Sequence, residues 1–301
     1  MATIAEGAAR TRSGQRSRSL RQGALTGLLL LPAGLWYVIL LVVPLGIVVI
    51  FSLGKTAARG GYAPGLTLDN YAAAAAEPGP FVTSLWLAIA GTILCLLLAL
   101  PLAYFVATRG GSRKALFIVL LVIPFWTSFL IRTYAWLTIL GPDGLAGFIG
   151  DAIGDPAFRI LGTPVAVLIG VVYGYLPLMI FPIYVTIERM DRTLVEASKD
   201  LGAGRWATFR QITLPIALPG LITGSILVFI PLMGEYVIPA ILGYGRVFLI
   251  GNLLVLQFLE ARDWPVGSAY AVMLIMIMLV SISFYLWFTS RGRKSRDVSV
   301  L

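Results

Sequence analysis

Histidine is absent from this 301-residue chain, and cysteine occurs once, as Cys95. Those shortages exclude imidazole acid–base chemistry, histidine metal sites, an internal disulfide and any cysteine metal cluster. Charge is scarce too: Asp, Glu, Lys and Arg together make up 12% of the residues, where a soluble domain carries about a quarter. A complete phosphate-binding loop is also missing. Gly54-Lys55-Thr56 has the end of the G-x4-G-K-T pattern, but Val49 stands where the first glycine is needed. The tripeptide also follows an apolar run instead of joining a strand to a helix. Energy for any work this chain does must therefore come from a partner or an ion gradient.

What the chain has is apolar length. Hydrophobic residues are 58% of it and the mean hydropathy is +0.91. About twenty apolar residues cross a bilayer, and six runs qualify, at roughly 25–53, 81–107, 115–140, 164–187, 215–242 and 266–290. The expectation is an all-α polytopic membrane protein of six transmembrane helices. Residues 1–24 form a basic tail, 25–290 the membrane domain and 291–301 a second tail. The first run is too long for a signal-peptide core and no A-x-A-like site follows it, so it is read as an uncleaved span. Prolines 44, 101, 124, 177, 182, 231 and 239 fall inside the runs, which suits helices that bend where neighbours cover the freed carbonyls.

Charge placement sets the orientation. The N-tail, the 108–114 loop, the 188–214 loop and the C-tail together hold seventeen Lys and Arg, while the opposite loops hold five: Lys55, Arg59, Arg159, Arg246 and Arg262. By the positive-inside rule both termini are cytoplasmic. The net charge of +9 is thus a property of the inner membrane surface, not a nucleic-acid stripe. Outside, a short helix is expected around Leu68–Glu77, and 141–163 and 243–265 read as loops. The outer loops carry seven carboxylates against those five cations, a mildly acidic face that serves solvation or the docking of a partner.

Two ionisable residues are expected within the spans, Arg132 and Glu235. At about 1.5 Å per residue they lie roughly 13 and 10 Å below the outer ends of the third and fifth spans. Such residues are costly in lipid and mark function by default. One reading pairs Arg132 with Glu235 as a structural ion pair. The other turns Glu235 and Tyr236 toward a substrate pathway, with Trp126, Tyr134, Trp136, Tyr173 and Tyr175 offering aromatic faces on which cations bind by about 0.5–2 kcal/mol. Trp and Tyr also gather at membrane interfaces for no reason beyond their amphipathic rings.

Between the fourth and fifth spans runs EASKDLGAGRWATFRQITLP, residues 196–215. Val195, Ala197, Ser198, Leu201 and Gly202 recur at helical spacing, Gly202 and Gly204 stop that helix, and Pro215 sits where the next should start. A short helix with a small-residue face suits a groove on another protein, although a plain connecting loop would also look polar.

The spacing Glu196-Ala197-Ser198, Gly202, then Ile212-x-Leu214-Pro215 resembles the EAA loop of ABC-importer permeases, with Ser198 in place of the second alanine. Further segments, PFWTSFLIRTYAW (124–136), MGEYVIPAILG (233–243), IGNLLVLQF (250–258) and RDWPVGSA (262–269), resemble the permeases of spermidine/putrescine importers. The resemblance implies the type I ABC importer permease fold and a bacterial inner-membrane location. It implies a second permease, a paralogue, together with an ATPase dimer and a periplasmic binding protein. It implies docking of the ATPase through Glu196, Ala197, Ser198, Asp200 and Gly202. ATP and magnesium would sit on the ATPase, leaving this chain with no cofactor, no metal and no catalytic residue. Relatives for iron, thiamine, sulfate or phosphonate share much of the pattern. A stand-alone ion-coupled transporter is the alternative of another class, and it would have no use for the EAA loop.

Overall fold

The computed structural model describes residues 30–155 and 157–297. Within them the order is α1 (Leu30–Ser52), a hairpin of β1 (Lys55–Thr56) and β2 (Tyr62–Ala63), α2 (Asp69–Ala76), α3 (Gly79–Arg109), α4 (Gly111–Trp126), α5 (Phe129–Ile139) and α6 (Leu145–Ile153). There follow α7 (Pro164–Glu188), α8 (Arg192–Asp200), α9 (Arg205–Met233), α10 (Val237–Leu242), α11 (Ile250–Glu260) and α12 (Trp264–Asp297). Five of these helices are long and apolar enough to cross a bilayer, or six spans if α4 and α5 count as one. The basic tail expected over 1–24 and the start of the first span lie outside the described residues.

The core is a three-helix seam of α3, α7 and α9. Lipid gives helices no hydrophobic reason to associate, so close packing of small residues must hold them together. α3 turns Ala88, Gly91, Cys95, Ala99 and Ala103 inward, and α9 turns Ala217, Gly220 and Gly224 inward, all buried. A Cβ on Gly220 would lie 2.5 Å from the Pro182 carbonyl oxygen, and one on Gly224 would lie 2.8 Å from Met179 Sδ. Cys95 thus serves as a small packing residue. α1 packs on α12 at the periphery, and no part of its spanning window is buried. Its last carbonyls are met from α2, where Asn70 Nδ2 donates to Ser52 O at 2.9 Å and to Gly54 O at 2.8 Å. The short helix expected near Leu68–Glu77 is therefore the cap of the first span.

Four expectations need correction. The third span is not straight: α4 and α5 meet at 91°. Ile123–Trp126 tightens into a 3-10 turn, and Thr127 and Ser128 are extended before the helix restarts at Phe129. The fifth span ends at Met233 instead of 242, leaving Gly234–Tyr236 non-helical ahead of α10. It also begins ten residues earlier than Pro215, at Arg205, with a π turn over Phe209–Thr213 placed just before that proline. Finally, the stretches read as loops contain helices, α6 and α11. α11 packs on α3, α10 and α12, and Ile250 N donates to Ser84 Oγ at 2.8 Å.

Gly220→Leu should destabilise the chain by about 1–3 kcal/mol or block folding, because the seam has no room for the added atoms. Gly46→Ala, where nothing lies within 4 Å, should be neutral. Loss of monodisperse protein on heating in detergent reads both.

Candidate coupling helix and intramembrane site

Asp191 starts the candidate coupling segment. Its carboxylate accepts from Thr193 N at 2.9 Å, which caps α8 and holds the carboxyl below the usual carboxylate range. At the other end Gly202 N donates to Lys199 O at 2.8 Å and Ala203 N to Ser198 O at 3.0 Å. These two bonds close a Schellman motif that requires the left-handed Gly202, φ +82°. Glu196, Ala197, Asp200 and Gly202 stand exposed, as a docking face requires. Ser198 does not. It is buried, with its Oγ 2.9 Å from Thr208 Oγ1 on the first turn of α9, so it ties α8 to the fifth span.

Sequence reasoning placed Leu201 only in the helical pattern and missed Trp206. Leu201 is 88% exposed and Trp206 72% exposed, with Trp206 stacked on Phe209 at 5.7 Å. Lone large apolar residues among charges and glycines were the available signal. Nearby, Lys114 Nζ lies 2.6 Å from Glu188 Oε1 and links the start of α4 to the end of α7.

The intramembrane site forms where α9 stops. Glu235 is 6% exposed. Its Oε1 accepts from the backbone N–H groups of Tyr236 (3.1 Å), Val237 (2.9 Å) and Ile238 (3.3 Å). Its Oε2 accepts from the Tyr175 hydroxyl of α7. These donors are the orphan N–H groups of α10. Gly251 of α11 presses on the same turn, since a Cβ there would lie 2.6 Å from Glu235 O and 2.7 Å from Gly234 O. Asn252 Nδ2 donates to Tyr236 O at 3.0 Å.

The expected Arg132–Glu235 ion pair is not formed. The 91° bend changes where α5 carries Arg132. Its guanidinium carbon sits 4.4 Å from the Phe125 ring centroid and 5.9 Å from that of Phe129. Its Nε and Nη1 are buried without a hydrogen-bond partner among the described residues. Tyr173 joins this cluster, 6.1 Å from Phe125 and 5.4 Å from Trp136. Trp126, Tyr134 and Tyr236 are exposed on the isolated chain. Tyr175, grouped with the pathway aromatics by sequence, is the partner of Glu235.

Removing the Glu235 carboxylate should unfold the outer half rather than trim ligand contacts. Glu235→Ala is expected to cost about 3 kcal/mol or more, and Tyr175→Phe about 2 kcal/mol, with the pair strongly non-additive. A double-mutant cycle of Arg132→Met with Glu235→Gln should return a coupling below about 0.5 kcal/mol. A larger value by thermal or denaturant unfolding would restore the ion pair.

The profile of the family described as "Binding-protein-dependent transport system inner membrane component" matches residues 96–294. The chain is 39% identical over 240 residues to the spermidine/putrescine transport system permease protein PotB of Salmonella typhimurium, covering 77% of this chain and 83% of that protein. It is 36% identical over 254 residues to the protein of the same name in Haemophilus influenzae, covering 83% and 89%. Its fold matches a chain of a bacterial alginate ABC transporter solved in complex with an alginate pentasaccharide-bound periplasmic protein. The TM-score is 0.64, with 17% identity, over 89% of this chain and 94% of that one. The chain belongs to the family of inner-membrane components of binding-protein-dependent transport systems: it is the membrane permease of an ABC importer, whose ATP hydrolysis resides in a separate subunit.

Proposed function

We propose that this permease imports polyamines such as spermidine and putrescine, working with a second, paralogous permease, an ATPase dimer and a periplasmic binding protein. The single observation that carries the substrate is the 36–39% identity to polyamine permeases over most of both chains. Both termini face the cytoplasm, as the lysine and arginine distribution favours, and α8 then faces the nucleotide-binding partner. Trp206, on the first turn of α9, is the anchor beside it, an aromatic side chain of the kind that dominates docking energies, and Leu201 at the end of α8 stands exposed next to it. Glu196, Ala197, Asp200 and Gly202 form the surrounding contact surface, and Ser198 transmits from behind it.

Closure of the ATPase dimer pushes α8, and Thr208 passes the push to α9. The pathway then opens first outward and later inward. ATP favours one state only because its partner binds α8 differently in the two. Exposed Trp126, Tyr134 and Tyr236 offer cation–π surfaces to the ammonium groups, with Tyr173 packed behind the Phe125 ring. Glu235 acts from the second layer: it shapes the turn that presents Tyr236 and lends one negative charge to that region.

A second reading, an anionic solute, is favoured by one feature, the two unpartnered nitrogens of Arg132. Uptake assays separate the two. Deleting the chain should abolish uptake of radiolabelled putrescine or spermidine and leave sulfate uptake unchanged; the opposite pattern sinks the polyamine reading. Leu201→Asp should cut uptake by about tenfold or more while the six spans insert and the complex assembles. Normal uptake in that variant would remove α8 as the docking element.

A further inference from the structure

Between the three-helix seam and α12 lies a cavity of about 420 Å³. α12 packs chiefly on α1 and α2 and only lightly on α9, so it stands off the seam along the middle of the span. One stripe of α3 from Leu85 to Leu96, the Ser225–Phe229 turn of α9 and the Ser281–Phe288 face of α12 make its walls. Nine of the thirteen lining side chains are apolar, the other four carry a hydroxyl, and none of them is charged. Thr92 lies about 20 Å along the 31-residue α3, near the middle of the apolar layer.

Two observations separate this space from slack packing. The first is Thr92. A threonine in a helix readily donates back to the carbonyl four residues earlier. Thr83 and Thr108 do so on the same helix, at 2.9 and 2.7 Å. Thr186 of α7 and Thr223 of α9 do so at 2.8 and 2.9 Å. Thr92 does not: its Oγ1 is buried with no hydrogen-bond partner among the described residues. A hydroxyl left unmet in an apolar layer costs free energy until a partner reaches it. The second is the chemistry of the wall. Phe229, Phe284, Tyr285 and Phe288 bring rings from α9 and α12, while the rest of the α3 stripe is aliphatic, so a flat apolar body has faces to stack on.

These features select the ligand. An acyl chain would fill the volume and leave Thr92 unmet. A carboxylate or an ammonium would meet it at the cost of a charge held near mid-membrane, so the proposed polyamine substrate does not belong here. The volume falls in the range of about 300–1,000 Å³ that takes a drug-sized molecule. We propose that this cavity binds an uncharged, membrane-dissolved ring compound whose carbonyl oxygen accepts from Thr92 Oγ1, the chemistry of a quinone or an aromatic ketone. Such a ligand enters from the lipid and bridges α12 to the seam.

The test uses the intact importer in nanodiscs and benzophenone, an aromatic ketone that attaches to neighbouring C–H bonds on irradiation. Mass spectrometry should place the label on cavity residues of α3, α9 and α12, and the label should saturate as benzophenone is raised. 1,4-Naphthoquinone should compete; decane, which has no acceptor, should not. Thr92→Val keeps the shape and removes the hydroxyl. It should raise the half-saturating concentration about three- to tenfold, the scale of one hydrogen bond, whereas Thr92→Ser should label as the unaltered chain does. An even, non-saturating label over the lipid-facing helices, α1 included, overturns the proposal, because benzophenone then only partitions into the bilayer. So does a label that never reaches α9, because another subunit then covers the cleft. Competition by decane equal to that by naphthoquinone, or an unchanged Thr92→Val, overturns it as well, since the hydroxyl then reads no ligand.

Discussion

A helix that stops inside an apolar layer leaves N–H groups with nothing to bond, and the structure depends on how one carboxylate answers that. Glu235 takes three backbone donors on one oxygen and the Tyr175 hydroxyl on the other. Each such group left unmet costs several kcal/mol in lipid. With the carboxylate in place, α9 can end at Met233 and α10 can leave in a new direction. Gly251 can then bring α11 down on the break, and Asn252 can hold the carbonyl of Tyr236. A charge that is costly alone becomes affordable here because donors and a helix N-terminus surround it.

Below the break α9 runs unbroken for 29 residues, about 44 Å of helix. Its foot carries Thr208, bonded to Ser198 of α8, and its head meets Glu235. The seam with α3 and α7 is made of residues so small that backbones touch, so α9 has little freedom to bend along its middle. Displacement at the foot is therefore delivered to the head largely as movement of the whole rod. Ser198, which stands where the EAA pattern it resembles has alanine, lies at the junction of α8 with that rod, where its hydroxyl adds a bond alanine cannot make.

Much of this was legible in the sequence, and the reason is hydropathy: apolar runs report the number and order of spans because lipid demands them. The direction of the backbone within a run is another matter. Pro124 stands near the 91° bend, yet Pro101, Pro177, Pro182, Pro219 and Pro231 lie inside continuous helices, so proline did not discriminate. Arg132 and Glu235 were placed at one depth by counting along straight rods, and the count failed for both because both rods break. α11 was read as loop because eleven residues are too few to span and it ends at Glu260. The grouping of Arg159 with Arg246 was invisible for a different reason. The outer loops sum to a mildly acidic surface, and only folding brings Arg159 and Arg246 to one cavity while leaving the carboxylates out of its lining.

The two ends of the molecule are joined by one continuous path, and its order explains why each piece is where it is. Tyr244 and Arg246 follow α10 within four residues. α10 is held by Glu235, Glu235 sits at the head of α9, and the foot of α9 grips α8. Spatial continuity alone does not make a switch; an element with two arrangements does. Gly234–Tyr236 is the non-helical turn between α9 and α10, set between two hydrogen-bonded helices above a close-packed seam. Tyr244, with its left-handed backbone, follows α10 on the side away from that turn. The carboxylate that makes the break possible thus stands where α9 gives way to α10, between the loop after α10 and the rod that reaches α8.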